Sequence, residues 1–354
     1  MEPERGRSAT QRGSRGGSVT RPAVLAVDGG NSKTDVALVA EDGSLLAAVR
    51  GPTTQHQAIG LETAMDRLSG LVAEVALMAG QSGDGRVAEL GSYALAGADS
   101  PSDVRLLTRA LGKRAFATRD IVVNDTFAGL RAGTDRGWGV VLVCGQGVNA
   151  AAVAPNGRTA RFAGLGDISG DWGGGMSVGM AGLAAAVRGS DRRGAHTVLE
   201  QLVPRHFGVA SPASLVTALY RERIARVRMA ELSPLVFRAA GEGDAVARQI
   251  VDRLADELAA MATALIRRLR LARLDVEVVR AGGVFQNDDA PFRERLDAGV
   301  RTVAPQARVV RSELLPVGGA TLLGLDRLIA EGTAYPSAVA NARLAFATWR
   351  PARA

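Results

Sequence analysis

Short apolar runs alternate along this chain with longer segments in which apolar residues recur every three or four positions. Apolar runs at 23–27, 35–40 and 45–49 predict three strands joined by tight turns. The segment 61–78 has helical periodicity, and strands are predicted at 93–96 and 121–123. Ser100-Pro101-Ser102-Asp103 has the pattern of a capping box and predicts the start of a helix over 104–111. The pattern therefore indicates an α/β protein.

The second half repeats this order. Strands predicted at 138–144 and 148–154 enclose a glycine loop, and strands at 276–280 and 308–310 follow a helical region. The longest helix is predicted at 244–270, with an aliphatic stripe typical of core or dimer packing. We predict two α/β domains, 23–133 and 134–354, with a boundary near the glycine-rich segment 133–137 and a final helix that can pack back on the first domain.

The first hairpin loop has the residues of a phosphate-binding turn. Backbone N–H groups bind phosphate oxygens, and glycine lets the main chain approach them closely. Asp28 ends the first strand and is suited to holding Mg²⁺ through water, since Mg²⁺ prefers oxygen ligands. The alternative is an exposed turn capped by its own polar side chains. The loop consists of Asp28, Gly29, Gly30, Asn31, Ser32, Lys33 and Thr34.

The second glycine loop, Gly145-Gln146-Gly147, has two interpretations. With Val148, Asn149 and Ala150 it matches a dinucleotide-binding fingerprint, which would indicate an NAD-dependent oxidoreductase. That fingerprint requires a crossover helix, but a Pro-Asn-Gly turn at 155–157 leaves too few residues for one. A second phosphate-binding hairpin fits the spacing better.

Two further glycine pairs follow later strands. Gly282 and Gly283, after the strand at 276–280, permit close approach of a nucleoside or form an ordinary strand-to-helix turn. Gly318 and Gly319 open the last predicted helix, where close helix packing is the favoured explanation.

Composition narrows the class of protein. Cys144 is the only cysteine among 354 residues, which excludes a disulfide within the chain and a cysteine-built metal site. No apolar run reaches the roughly 18 residues of a membrane span, and no signal segment opens the sequence. We therefore expect a cytoplasmic protein without a membrane partner.

The net charge of +7 raises the question of nucleic-acid binding. Lys33 and Lys113 are the only lysines, so almost all of the positive charge comes from arginines. Part of it lies in 1–22, a Gly/Ser/Arg-rich tail that we expect to be disordered because it has nothing to pack. A basic stripe with interleaved aromatic residues is missing from the sequence, and we expect no nucleic-acid partner.

These motifs, in this order over about 23–330, resemble the actin/Hsp70/sugar-kinase superfamily. Within it the chain is similar to the N-acetylglucosamine kinase branch, grouped with the BadF/BadG/BcrA/BcrD-type ATPases. The resemblance implies two actin-like (ribonuclease H-like) ATPase domains with a nucleotide cleft between them. It also implies ATP and Mg²⁺ as cofactors, a small sugar as substrate and a homodimer.

Carried over by resemblance, Asp28–Thr34 and Gly145–Gly147 are the two phosphate loops, and Gly282 and Gly283 belong to the adenosine loop. Asp125 matches the catalytic aspartate; the alternative is a helix cap. The resemblance implies the sugar-binding residues Gln55, His56, Thr126, Gly164, Leu165 and Asp171.

Several of these positions have simpler explanations or depart from the family pattern. His56 is more simply a packing residue, and Asp171 could serve only to turn the chain. Gln55 stands where the family has Asn, Leu165 where it often has Trp, and Gln146 where Thr is usual. We expect a kinase acting on the 6-hydroxyl of an amino sugar, first N-acetylglucosamine, with glucosamine or another hexose as alternatives. The alternative from another class is a non-catalytic nucleotide-binding regulator.

Overall fold

The structure is a computed structural model that describes residues 22–82 and 85–351. Residues 1–21 of the predicted tail lie outside the described residues, whereas Pro22, assigned to that tail, is the first residue of a strand. Five strands form the first sheet: β1 (Pro22–Gly29), β2 (Lys33–Ala40), β3 (Leu45–Pro52), β4 (Ala88–Leu95) and β5 (Ala117–Val123).

The second sheet repeats the topology of the first. Its strands are β6 (Gly139–Cys144), β7 (Val148–Val153), β8 (Thr159–Arg161), β9 (Glu277–Ala281) and β10 (Arg308–Arg311). The strand orders are β3-β2-β1-β4-β5 and β10-β9-β6-β7-β8. In each sheet three antiparallel strands are followed by two that run parallel to the first. The predicted duplication is therefore confirmed.

Helices cover both faces of the sheets. In chain order they are α1 (His56–Ile59), α2 (Leu61–Met78), α3 (Pro101–Arg114), α4 (Asp125–Gly133), α5 (Gly174–Ser190), α6 (Leu199–His206), α7 (Pro212–Tyr220), α8 (Ser233–Gly241), α9 (Ala245–Leu269), α10 (Ala290–Arg301), α11 (Pro316–Ala330) and α12 (Ala338–Thr348). Short 3₁₀ turns lie at Gly166–Ser169, Arg226–Leu232 and Gly283–Gln286.

Local sequence accounts for the starts of several helices. The capping box of α3 forms as predicted, with the Ser100 hydroxyl accepting from Asp103 N and the Asp103 carboxylate accepting from Ser100 N. α9 is capped by Asp244, and its apolar stripe is buried in the core of the second sheet within this chain. The stripe therefore serves core packing.

Two helices lie between the sheets, and each packs on the sheet of the other half of the chain. Leu130 of α4 packs against Val141 and Val279 of the second sheet, although α4 follows β5 of the first. Leu322 of α11 packs with Val24 of the first sheet. Because each helix buries its apolar face on the sheet of the other half, the boundary at 133/134 stays a prediction.

The Gly-rich loop after β6 is a hairpin. β7 pairs antiparallel with β6, so residues 148–153 form a strand. A dinucleotide fold would require a helix there, and the oxidoreductase alternative loses its structural basis.

Candidate active site

A cleft of about 340 Å³ lies between the two sheets, at the ends of β1 and β6 that carry the glycine loops. This volume is within the range of small-molecule sites, roughly 300–1,000 Å³. The cleft is lined by Gly30, Asn31, Ser32, Lys33, Gln55, Gln57, Ala96, Gly97, Asp99, Asn124, Asp125, Thr126, Val143, Gly145, Gln146, Gly147, Val148, Asn149, Gly164 and Leu165. Most of the residues predicted from sequence are therefore brought together.

The first glycine loop is a tight hairpin turn between β1 and β2. Gly30 N donates to Lys33 O at 2.9 Å, and Thr53 Oγ1 donates to Gly30 O at 2.8 Å. A Cβ at Gly29 would lie 2.7 Å from Leu95 Cδ2, so a larger residue there would require the Leu95 side chain to shift. Thr34 faces inward instead, where its hydroxyl pairs with that of Thr54 at 2.9 Å. Of the predicted loop, 30–33 line the cleft and Thr34 supports it.

The second glycine loop rests on the start of α5. Gly175 N donates to Gly145 O at 2.8 Å, and Met176 N donates to Gln146 O at 2.9 Å. A Cβ at Gly145 or Gly147 would meet no atom of the chain within 4 Å. Packing within the chain therefore does not require glycine at these two positions. The space beside them is open, as expected for a loop that a ligand approaches closely.

Asp28 is buried at the end of β1, and its carboxylate has no ion-pair partner within 4.0 Å among the described residues. Burial raises its pKa well above the ordinary value, and the charges of Asp125 and Asp35 raise it further. Lys33 and Arg50 act in the opposite direction, but both pair with Asp35, at 3.8 and 2.6 Å. A buried carboxylate without a direct counter-charge is a suitable ligand for a cation.

Asp125 is the first residue of α4 and half-buried at the cleft. Burial, followed by the charge of Asp99, raises its pKa to about 6. The helix cap is Asn124, whose Oδ1 accepts from Thr126 N at 3.2 Å. Since Asn124 fulfils the capping role, the alternative that Asp125 is only a cap loses its support.

Asp99 and Arg161 are not predicted from the sequence as site residues. Asp99 lines the cleft in the turn between β4 and α3, and Asn124 Nδ2 donates to its Oδ1 at 3.0 Å. Arg161, at the end of β8, lies with NH1 3.3 Å from the same oxygen. Neither residue belongs to a motif in the sequence, and only the fold brings Arg161 of β8 against Asp99.

The predicted sugar residues on the first half are used within the chain. Gln55 Oε1 accepts from Ala58 N at 2.6 Å, and its Nε2 donates to Gln57 Oε1 at 2.8 Å. Thr126 Oγ1 donates to Asn124 Oδ1 at 2.6 Å. His56 is buried beneath Gly97 and is not among the residues that line the cleft. Gln57, the second residue of α1, is not predicted from the sequence and does line the cleft.

The segment 164–171 borders the cleft at one end only. Gly164, at φ +70°, packs on Asn149, and Leu165 lines the cleft with 49% of its surface exposed. Asp171 is not among the lining residues, and its carboxylate accepts a hydrogen bond from Ser169 Oγ.

Gly282 and Gly283 lie behind the second loop. Gly282 has φ +105°, and a Cβ there would lie 2.5 Å from Cys144 O. Gly283 lines a second pocket, of about 540 Å³, together with Gly145 and Gln146. The second glycine loop therefore borders both this pocket and the cleft.

Within 22–82 and 85–351 no group of three or more His, Cys, Asp or Glu residues has the arrangement of a metal centre. In the same part of the chain, no helix is both apolar enough and long enough to span a bilayer. Asp28 is not among the lining residues, but it is buried close enough to Asp125 for their charges to interact. Mg²⁺ commonly binds one or two carboxylates together with waters and phosphates. The residues present fit such an ion.

Two curated relatives are similar in sequence. The N-acetylmuramic acid/N-acetylglucosamine kinase of Clostridium acetobutylicum is 29% identical over 267 residues, covering 75% of this chain and 86% of the relative. The N-acetyl-D-glucosamine kinase of Dictyostelium discoideum is 25% identical over 320 residues, covering 87% and 99%.

Solved structures share the fold. A protein of Chromobacterium violaceum assigned as an N-acetylglucosamine kinase matches with a TM-score of 0.67 at 22% identity, over 86% of this chain and 99% of its own. A ROK family glucokinase from Streptomyces griseus, in complex with glucose and AMPPNP, matches with a TM-score of 0.55 at 18% identity, over 86% and 98%. The predicted α/β fold of two actin-like domains is thereby confirmed.

The family model for the BadF/BadG/BcrA/BcrD ATPases matches residues 25–324, from β1 into α11. This range contains both glycine loops, Asp125 and the adenosine-loop candidates. The chain belongs to the BadF/BadG/BcrA/BcrD ATPase family.

Proposed function

We propose that this protein is an ATP-dependent sugar kinase that transfers the γ-phosphoryl group to the 6-hydroxyl of an amino sugar, first N-acetylglucosamine. The observation that carries the proposal is the position of Asp125. Its carboxyl lies in a cleft bordered by two glycine loops and has a pKa near 6. A group with that pKa is largely ionised at neutral pH and still basic enough to accept a hydroxyl proton.

The glycine loops indicate where the nucleotide would bind. The phosphates would lie between residues 30–33 and 145–147, where backbone N–H groups and Lys33 can bind their oxygens. The second pocket, with Gly283 at its wall, would take the adenosine. In this arrangement the γ-phosphate would point toward the side of the cleft that holds Asp125.

Asp28 would hold Mg²⁺, directly or through water. When bound, the ion would neutralise charge on the phosphate oxygens. The chain itself would contribute the buried carboxylate of Asp28 at the end of β1. Lys33 and Arg50 both pair with Asp35 and not with Asp28.

Phosphoryl transfer depends mainly on positioning and electrostatic stabilisation. Asp125 would orient the sugar hydroxyl and accept its proton, while Asn124 keeps the start of α4 in place. Gln57 and Asn149 supply further polar groups in the cleft, on opposite halves of the chain. They are the best-placed residues for sugar hydroxyls beyond those predicted from sequence.

N-acetylglucosamine is favoured because both curated relatives are named as kinases that act on it. The other hexoses stay open, since Gln55 already uses both ends of its amide within the chain. To bind a sugar, Gln55 would have to give up its cap on α1, and Gln57 is the more accessible amide. The homodimer and the cytoplasmic location stay predictions from sequence.

A coupled assay of ADP release tests the proposal across N-acetylglucosamine, N-acetylmuramic acid, glucosamine, N-acetylmannosamine and glucose. Sugar-dependent ADP release with N-acetylglucosamine at the highest kcat/KM is expected. ATP binding without release for any sugar would favour a non-catalytic nucleotide-binding regulator. Release that is fastest with glucose would keep the kinase and overturn the amino-sugar assignment.

A further inference from the structure

Arg161, from the second half of the chain, contacts Asp99, a residue of the first half that lines the cleft. Arg161 ends β8 at the edge of the second sheet, and its side chain is only 16% exposed. Its NH1 lies 3.3 Å from Asp99 Oδ1, and its NH2 donates to the backbone oxygen of the same residue. A further hydrogen bond, from NH1 to Phe162 O at 3.1 Å, holds the guanidinium against its own half of the chain. The arginine thus contacts Asp99 at two points, across 62 residues of sequence.

Asp99 links Arg161 to the start of α4, the helix that begins at Asp125. Asn124 Nδ2 donates to Asp99 Oδ1 at 3.0 Å. Asn124 Oδ1 in turn accepts from Thr126 N at 3.2 Å and from Thr126 Oγ1 at 2.6 Å. Asp99 and Asn124 therefore flank the first turn of α4, in which Asp125 is the first residue.

We propose that Arg161 is a positioning residue for phosphoryl transfer, which holds the two halves of the cleft together through Asp99 and thereby fixes the first turn of α4. This inference rests on the proposed kinase function for its catalytic readout only. Its structural content, a contact that joins the two halves, does not depend on the reaction.

The charges around Asp99 explain why an arginine is needed. Asp99 is buried to about four fifths, and its negative charge faces that of Asp125 and, on α3, that of Asp103. Arg161 is the cation that opposes them among the described residues that act on Asp99. A planar guanidinium can reach the carboxylate and the backbone oxygen together, whereas the ammonium of lysine reaches one point.

The first experiment compares Arg161→Gln, Arg161→Lys and Arg158→Gln by steady-state kinetics. Arg158 is an exposed arginine of the same β7–β8 hairpin outside the cleft, so its loss matches the change in net charge. We expect Arg161→Gln to lower kcat about tenfold or more with the KM for ATP within about twofold, since small displacements at a reacting centre are costly. Arg161→Lys should recover part of kcat, and Arg158→Gln should match the unchanged protein.

A double-mutant cycle tests the route through Asp99. If Arg161 acts through Asp99, the variant carrying both Arg161→Gln and Asp99→Asn loses no more kcat than the worse single variant. Independent, multiplicative losses would overturn the proposed route. An unchanged kcat in Arg161→Gln would overturn the positioning role itself.

A distance measurement tests the bridge without any turnover. Cys144 is buried, so spin labels can be attached at Arg105→Cys on α3 and Arg273→Cys after α9, both exposed positions. We expect Arg161→Gln to broaden the distance distribution between the labels and Arg158→Gln to leave it unchanged. An identical distribution in Arg161→Gln would overturn the bridge. If the unchanged protein phosphorylates no sugar, the proposed function fails while this measurement still decides the inference.

Discussion

Gly319 of α11 lies directly against the backbone of Ala128 in α4: a Cβ at position 319 would be 1.9 Å from Ala128 O. The two helices lie between the sheets, and Arg131 of α4 fixes them further by pairing with Asp326 of α11 at 2.7 and 3.0 Å. Because α4 begins at Asp125, this crossing sets the depth of Asp125 in the cleft. It also confirms the expectation that the last glycine pair serves helix packing.

Replacing Gly319 with Ala should destabilise the protein strongly. The Cβ can be accommodated only if the helix backbones separate, and overpacking of a core costs about 1–3 kcal/mol or more. Thermal unfolding measures the effect. Gly112→Ala is the matched control, because Gly112 lies inside α3 with nothing within 4 Å of the added Cβ. It should raise stability by about 0.4–1 kcal/mol, and equal melting temperatures for the two variants would contradict the packing argument.

Gly147→Ala should separate nucleotide binding from stability. The added Cβ meets no atom of the chain, so the melting temperature should hardly change, whereas the methyl group would project where phosphates approach. We expect the KM for ATP to rise about tenfold, equivalent to about 1.4 kcal/mol of binding. The contrasting variant is Gly282→Ala, which meets Cys144 O at 2.5 Å with φ +105° and should unfold at lower temperature. An unaltered KM in Gly147→Ala would remove the second loop from the nucleotide site.

Asp125→Asn should abolish most activity and stabilise the fold. Loss of a positioned base lowers kcat by about 10²–10⁴ while ATP still binds. The folded-state pKa of Asp125 is about 6 against an unfolded value near 3.8, so ionisation opposes folding. This penalty is absent below pH 3.8, grows as pH rises toward 6 and is complete above it.

The stability of Asp125→Asn should therefore exceed that of the unchanged protein by about 1–2 kcal/mol at pH 8. At pH 4 the difference should nearly vanish. Denaturant unfolding at both pH values measures this, and isothermal titration checks ATP binding. Normal turnover in the variant would leave Asp125 without a role in the reaction.

The pH dependence of kcat/KM should show an acidic limb near pH 6, since the base must be ionised to accept a proton. Activity should fall about tenfold for each pH unit below the limb when one proton is involved. Because Asp28 and Asp125 interact, the apparent pKa belongs to the pair. A profile that is flat down to pH 5 would show that a group other than Asp125 accepts the proton.

Leu165→Trp should tighten sugar binding several-fold. Leu165 lines the cleft with about half of its surface exposed, which leaves room for a larger ring. Aromatic contacts contribute about 0.5–1.5 kcal/mol beyond the area they bury. The KM for N-acetylglucosamine is the measurement, and Ile168→Trp, on a side chain 88% exposed and outside the cleft lining, is the control. Equal effects of the two changes would dissociate Leu165 from the sugar.

Local patterns in the sequence were enough to predict many of the strands and helices. Period-two and period-3.6 patterns predicted α2 at its observed bounds of 61–78, and they placed Gly30, Gly145 and Gly282 directly after strands. The turn at 155–157 was enough to predict a hairpin after Gly147. The order of the motifs also indicated the family, because a phosphate-binding glycine loop can be recognised from a few residues.

Which polar groups are free to act depends on how the distant parts of the chain pack together. Gln55 and Thr126 stand at positions where the resemblance implies sugar-binding residues. Gln55 Oε1 instead caps α1, and Thr126 Oγ1 donates to Asn124. Asp99 and Arg161 carry no signal, since their contact depends on two sheets meeting across the cleft. Hydrogen bonds between distant residues follow from how sheets and helices pack, which no local pattern of hydrophobic positions encodes.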